Sequence, residues 1–245
     1  MGKVSTNTKP YQDQSTGKKQ QVEQMFDNIA STYDFLNRLL SMGIDKTWRK
    51  RAIRILRRHE SSSVLDVATG TGDLAMEIWH KVKPKRIAGI DLSENMLDLA
   101  REKAEAKKYP IEFQKGDAEN LPFADNTFDA ATVAFGVRNF ENLGKGLADI
   151  HRVLEPGGKL VVLEFSRPKV FPVKQVFQFY FHGILPLIGK LFSKDQRAYS
   201  YLPESVGVFP EGSDFTGELE EAGFQNTKLP RLFPKRALLW HYSWL

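Results

Sequence analysis

Cysteine is absent from the 245 residues, which excludes disulfides, cysteine-rich zinc sites and a thiolate nucleophile. Histidine is scarce. His59, His80, His151, His182 and His241 stand singly, and an isolated histidine is more often a surface or core residue than a base or ligand; no metal site is expected. A membrane-spanning run is missing too. The most apolar stretch outside the expected strands, residues 170–192, is broken by Lys174, Gln175, His182, Pro186 and Lys190, so it falls short of the ~20 apolar residues a span needs. Residues 1–20 are polar and rich in Lys, Gln, Thr and Ser; without the apolar core of a secretion signal, a cytoplasmic location is the expectation. The net charge of +5 would fit attraction to anionic lipid or nucleic acid and selects neither.

What the chain does hold is VLDVATGTGDLA at 64–75, followed by GIDLSENML at 89–97. Val64, Leu65 and Val67 have strand composition, and Gly70 and Gly72 let a ligand approach the backbone closely. A helix from about Asp73 then turns its N-terminal N–H groups toward whatever sits over this turn, Thr71 included. Asp91 ends the next apolar strand about 20 residues on, where a carboxylate can accept from both hydroxyls of a ribose. An adenosine-containing ligand is implied. Gly70-x-Gly72-x-x-Ala75 also fits a dinucleotide, but Asp66, on the strand before the turn, suits a ligand carrying an ammonium and a sulfonium better than a pyrophosphate. S-adenosyl-L-methionine is such a ligand. Asp117, after a third apolar run, can read the adenine edge together with the backbone N–H of Ala118. Each acid taken singly could instead be an ordinary loop or capping residue.

Four segments point further: FDNIASTYDFLNRLLSMGIDKTWRK (26–50), the glycine motif, the run from Asn120 to Pro168 containing FGVRNF, LEPGGKL and LEFSRP, and SYLPESVGVFPEG (200–212). Through them the chain resembles the ubiquinone/menaquinone biosynthesis C-methyltransferase family over nearly its whole length. Ala68, where a loop glycine is frequent, and Ala134, where a serine is frequent, depart from the pattern. The resemblance implies an α/β class I S-adenosylmethionine-dependent methyltransferase (Rossmann-like) fold, with a seven-stranded mainly parallel sheet and an N-terminal helical cap. It implies S-adenosyl-L-methionine as cofactor and a polyprenylated quinol as substrate, with demethylmenaquinol converted to menaquinol. Three alternatives stay open: the polyprenyl benzoquinol of ubiquinone synthesis, an RNA-directed methyltransferase, and a non-catalytic cofactor-binding scaffold. No basic groove, nucleic-acid module or Asn-Pro-Pro-Tyr motif is evident, so no nucleic-acid partner is expected. A peripheral contact at the inner face of the membrane and a homodimer are carried as partner expectations.

One methyltransferase domain over 18–245 is expected after a disordered tail, 1–17. A helical cap (18–60) precedes a cofactor-binding core (61–165), a substrate-side helical segment (166–222) and a closing hairpin (223–245). Within the core the pattern predicts strands at 64–68, 86–91, 111–115, 129–135 and 158–165, the last entered through a Pro156-Gly157-Gly158 turn. Helices are predicted at about 73–81, 94–108 and 142–154. Residues 170–192 read either as a buried helix pair or as an apolar mouth for a polyprenyl tail touching the membrane surface.

An aromatic carbon attacks a sulfonium methyl only when its ring is electron-rich, so the acceptor should be a reduced quinol whose hydroxyl is strongly hydrogen-bonded or deprotonated. Arg138, after the fourth strand, could stabilise the developing phenolate or hold a water; it could equally pair an acid such as Asp73 or Asp125. Tyr33 in the cap could hydrogen-bond the quinol or the donor carboxylate, or simply pack over the site. Asp73 could orient a water or the donor amino group, or complement a helix dipole. Glu164 could line the acceptor pocket or pair Arg167.

Overall fold

The computed structural model describes residues 8–11, 15–41, 45–165, 167, 171–184, 195, 197–228 and 238–244. Two helices lead, α1 (Lys18–Ser41) and α2 (Asp45–His59), and then strands and helices alternate: β1 (Ser63–Val67), α3 (Asp73–Val82), β2 (Arg86–Asp91), α4 (Glu94–Ala106), β3 (Glu112–Lys115), β4 (Phe128–Ala134), a 3-10 turn (Val137–Asn139), α5 (Leu143–Val153) and β5 (Leu154–Phe165). The remaining elements are α6 (Val173–Phe179) running into a π turn (Tyr180–Ile184), α7 (Arg197–Val208), α8 (Ser213–Glu221), β6 (Gln225–Lys228) and β7 (Leu238–Trp244).

The seven strands form one sheet in the order β3-β2-β1-β4-β5-β7-β6. β1 to β5 are parallel, and β7 runs antiparallel to β5 and to β6. Val64, Leu65 and Val67 are fully buried because helices cover both faces, which is why the central strands read as continuous apolar runs and not as alternations. One apolar cluster joins α5 and α8 to the sheet, a second joins α2 and α3, and a third packs α1 and α7 together with Met96 of α4.

Three expectations need correction. β5 starts at Leu154, and the Pro-Gly-Gly turn is an irregularity inside it: Phe128 pairs with Leu154, but Ala130 pairs with Lys159. The stretch read as a disordered tail is partly tied down, since the Tyr11 N–H donates to Gln21 Oε1 at 2.9 Å, the Tyr11 hydroxyl donates to Asp195, and Arg197 Nε donates to the Pro10 carbonyl at 3.0 Å. The segment 170–192 is not a fully buried helix pair. Residues 185–192 lie outside the described residues, and of the rest Phe171 and Phe179 are 76% and 70% exposed while Phe177 and Tyr180 pack on the third cluster. Among the described residues no helix is long and apolar enough to cross a membrane.

Packing under the glycine turn leaves no room for change. A Cβ at Gly89, in the middle of β2, would stand 2.8 Å from the Phe113 ring and 3.0 Å from Thr69 Oγ1. Gly89→Ala is therefore expected to lower the unfolding free energy by about 1–3 kcal/mol, read from the urea midpoint; an unchanged midpoint would show that the ring can move aside.

Candidate active site

The sheet changes its winding direction between β1 and β4, and open parallel sheets bind ligands beyond the strand ends at such a point. A cleft of about 700 Å³, counting the space open at its mouth, lies there. Its floor is Ala68 and Gly70 after β1, Asp91 and Leu92 from β2, Asp117 and Ala118 after β3, and Ala134 to Gly136 from β4. Its roof is one face of α1, where Lys19, Val22, Phe26 and Tyr33 recur at helical spacing.

Asp91 is the best placed of the predicted acids. One carboxylate oxygen accepts the Gly70 N–H at 2.8 Å and the other the Ser93 N–H at 3.0 Å, and the Leu92 N–H is a third backbone donor to the group. Burial raises its pKa, and these backbone bonds oppose the rise. Asp117 accepts from the Glu119 N–H at 2.9 Å and is ion-paired to Lys19 at 2.5 Å. That lysine comes down from the roof, so α1 is tied to the floor across the cleft. Tyr33 lines the cleft and is hydrogen-bonded to Asn37.

Other predicted residues stand elsewhere. Asp66 lies inside the sheet, opposite Gly89 and Thr132, and accepts from the Thr69 hydroxyl at 2.6 Å and from the Thr132 hydroxyl. It does not line the cleft. Burial, only partly opposed by these bonds, pushes its carboxyl up to about 6. Gly72 caps α3 at φ 76° and abuts Phe113 and Ala100, so its role is close packing. Thr71 donates to Asp34 at 2.6 Å. Asp73 is held by Lys103 at 2.7 Å and Arg49 at 3.3 Å, and Lys103 also reaches Asp34 at 2.8 Å. This ion network pins α1, α2, α3 and α4 to one another. Burial alone would raise the Asp73 pKa, but Lys103, then Arg49 and Arg38, outweigh it and lower it; neither Thr71 nor Asp73 is among the residues that line the cleft.

Arg138 pairs with neither Asp73 nor Asp125. Its Nη1 is 2.7 Å from Glu164 Oε1, with both side chains buried, and it also donates to the Phe135 carbonyl. Arg167, the other partner considered for Glu164, pairs with Glu211 instead, at 3.8 Å. The pair lies behind the cleft wall, and the neighbouring Asn139 lines the cleft itself. Sequence reasoning names Asn139 alongside Arg138 in FGVRNF, and it passes over Lys19, Val22 and Phe26, although the spacing of these three along α1 is a readable helical face. It also expected no basic groove. A second cleft between α2 and α3 is lined by Lys50, Ile53, Arg54, Arg57, Arg58 and Lys81, because positions 50, 54, 57 and 58 fall on one side of a helix.

The sheet order, the glycine turn and an acid at the end of β2 define the class: an S-adenosylmethionine-dependent methyltransferase. The fold is that of a solved SAM-dependent methyltransferase from Aquifex aeolicus, with a TM-score of 0.56 and 19% identity over 75% of this chain and 81% of that one. More narrowly, the chain belongs to the ubiE/COQ5 methyltransferase family, whose model matches residues 14–234. It is 48% identical over 226 residues to the demethylmenaquinone methyltransferase of Bacteroides fragilis, covering 91% of this chain and 92% of the relative. It is 45% identical over 216 residues to a ubiquinone/menaquinone biosynthesis C-methyltransferase of Geotalea daltonii, covering 87% and 92%.

Asp66 generates a pH signature. An unfolded aspartate loses its proton near 3.8 and the folded one near 6, so the folded state binds more protons in between and stability falls as pH rises through that window. Asp66→Asn is expected to remove a decline on the order of 2 kcal/mol between pH 4 and 6, followed by urea denaturation; the same slope in both proteins would show that Asp66 titrates normally.

Proposed function

We propose that the cleft holds S-adenosyl-L-methionine and that the chain uses it to methylate a ring carbon of a polyprenylated quinol, converting demethylmenaquinol to menaquinol. The substrate reading is carried by the 48% identity, across nearly the whole chain, to a relative named demethylmenaquinone methyltransferase.

The residues fit the cofactor. Asp91 accepts from the ribose hydroxyls, Leu92 and Ala118 flank the adenine, and Asp117 reads its edge. Gly70 allows the ligand against the backbone, and Tyr33 and Phe26 close over it. When bound, the cofactor supplies a methyl group on a sulfonium; the reaction breaks that C–S bond, forms a C–C bond to the ring and releases one proton. The chain's own residues must therefore hold the quinol hydroxyl beside the reacting carbon, exclude water and stabilise charge that builds on the oxygen. Tyr33 and Asn139, which line the cleft, would contact the acceptor, and the buried Arg138–Glu164 pair backs the wall they form. The apolar side chains Phe171, Val176 and Phe179, exposed on the segment after β5, suit a polyprenyl tail and a membrane surface.

Two tests follow. Asp91→Asn is expected to weaken cofactor binding about 10- to 100-fold without unfolding the chain, measured by calorimetry; unchanged affinity would move the ribose elsewhere. Methyl transfer should proceed to reduced demethylated naphthoquinone and not to the oxidised form. A matching benzoquinol run in parallel separates the two pathways, and failure with every reduced quinol despite cofactor binding would defeat the reading.

A further inference from the structure

Positive charge is unevenly spread over the chain. The sequence of α2, DKTWRKRAIRILRRH, sets seven lysines and arginines against one acid, Asp45, so this helix alone outweighs the net +5 of all 245 residues. The rest of the chain is nearly neutral. Trp48, Ala52, Ile53 and Leu56 of α2 are buried in the cluster it shares with α3 and the sheet, which leaves Lys46, Lys50, Arg54, Arg57 and Arg58 exposed. Lys46, Lys50, Arg54 and Arg58 follow one another four residues apart, a spacing at which like charges repel and weaken a helix. The helix dipole favours Arg57 and Arg58 in the last turn and opposes Lys46 in the first. Helix stability does not account for the stripe.

Internal ion pairing does not account for it either. Arg49 turns to Asp73 and Glu77, and Lys81 of α3 meets Glu77 at 3.0 Å. Among the described residues no carboxylate stands within ion-pair reach of Lys50, Arg54, Arg57 or Arg58. These four line, with Ile53 and Lys81, the open cleft between α2 and α3, about 930 Å³ counting the space open to solvent. Neither an acid nor an aromatic ring is among the described residues that line it.

Guanidinium groups in such a row fit phosphate oxygens, which they grip with paired N–H donors. The 15 residues of α2 extend about 22 Å, longer than a single small anion, so the row matches an extended anionic surface. Single-stranded nucleic acid is held on aromatic rings that stack its bases, and this cleft offers none. A lipid surface calls for cations beside exposed apolar side chains. Both are present: Trp48, near the start of α2, has its ring 6.1 Å from that of Phe165 at the end of β5, and the segment that follows exposes Phe171, Val176 and Phe179.

We propose that the cationic face of α2, together with Lys81, docks the protein on the phosphate headgroups of an anionic membrane. The docking surface is separate from the cofactor cleft and independent of the quinol reading, because lipid binding is measured without turnover.

The test is cosedimentation of the full-length chain with phosphatidylcholine vesicles, with and without phosphatidylglycerol. Binding to the phosphatidylglycerol vesicles is expected to be at least about 30-fold tighter than to the neutral ones, and to fall steeply as salt rises from ~0.1 M to ~0.5 M. Arg54→Gln, Arg57→Gln and Arg58→Gln combined should weaken binding about 100-fold, while the cofactor dissociation constant stays within about twofold because the cofactor cleft is untouched. Lysine at the same three positions should keep binding within about threefold, since the charge is retained. Should the glutamine variant fold poorly, the vesicle and salt comparisons on the parent protein carry the test. Equal binding to both kinds of vesicle, a glutamine variant that binds like the parent, or capture of an RNA duplex in preference to the vesicles overturns the proposal.

Discussion

The ammonium of Lys18 holds the roof of the cleft in place. It is 1% exposed and donates to the backbone carbonyls of Arg138 at 3.0 Å and Phe140 at 2.8 Å, while its own backbone N–H donates to Glu141 at 2.7 Å. Burying an ammonium is costly, and the lowering of its pKa to about 8, by burial and then by Arg138, records that cost. Once the first turn of α1 is fixed there, the helix must cross the carboxyl edge of the sheet. Lys19 then meets Asp117, and Val22, Phe26 and Tyr33 face down. The floor of the site depends on parallel strands and a glycine turn common to many proteins; the roof is anchored at its first turn by this side chain and further along by Lys19 and Asp34.

Two residues at the same edge are strained. Ala68 and Phe135 both adopt left-handed backbone, at φ 53° and 58°, which is unfavourable for residues with a Cβ and rare for a bulky aromatic. Each is held by its surroundings. Phe135 N–H donates to Leu163 at 2.7 Å, and the Phe135 carbonyl accepts from Arg138. Ala68 has room because residue 136 is glycine, where a Cβ would come within 2.4 Å of the Ala68 Cβ. The departure from glycine at position 68 and the glycine in FGVRNF are thus two halves of one fit, joining the turn after β1 to the end of β4.

The succession of strands and helices along the chain and the acid at the end of β2 are legible because apolar runs, glycines and caps are local signals. Which acids face the ligand is not. Asp66 and Asp91 both lie near the ends of apolar runs, but Asp66 is registered opposite Gly89 and so lies inside the sheet, whereas Asp91 lies two positions further along and beyond the end of β1. Only the pairing register separates them. Thr71 and Asp73 sit in the turn that defines the motif, yet their side chains point toward Asp34, Arg49 and Lys103, partners 24 to 37 residues away that no local pattern announces. Arg138 was singled out for its strand-end position, and its partner Glu164 could be known only after β4 and β5 were laid side by side.

The most direct test of the account is the position of the transferred methyl group. After turnover with carbon-13-labelled S-adenosylmethionine and a reduced demethylated naphthoquinone, NMR of the isolated product should show the label on a ring carbon, next to an unmodified hydroxyl. Label on a quinol oxygen, or none in the acceptor while the cofactor binds, would contradict it.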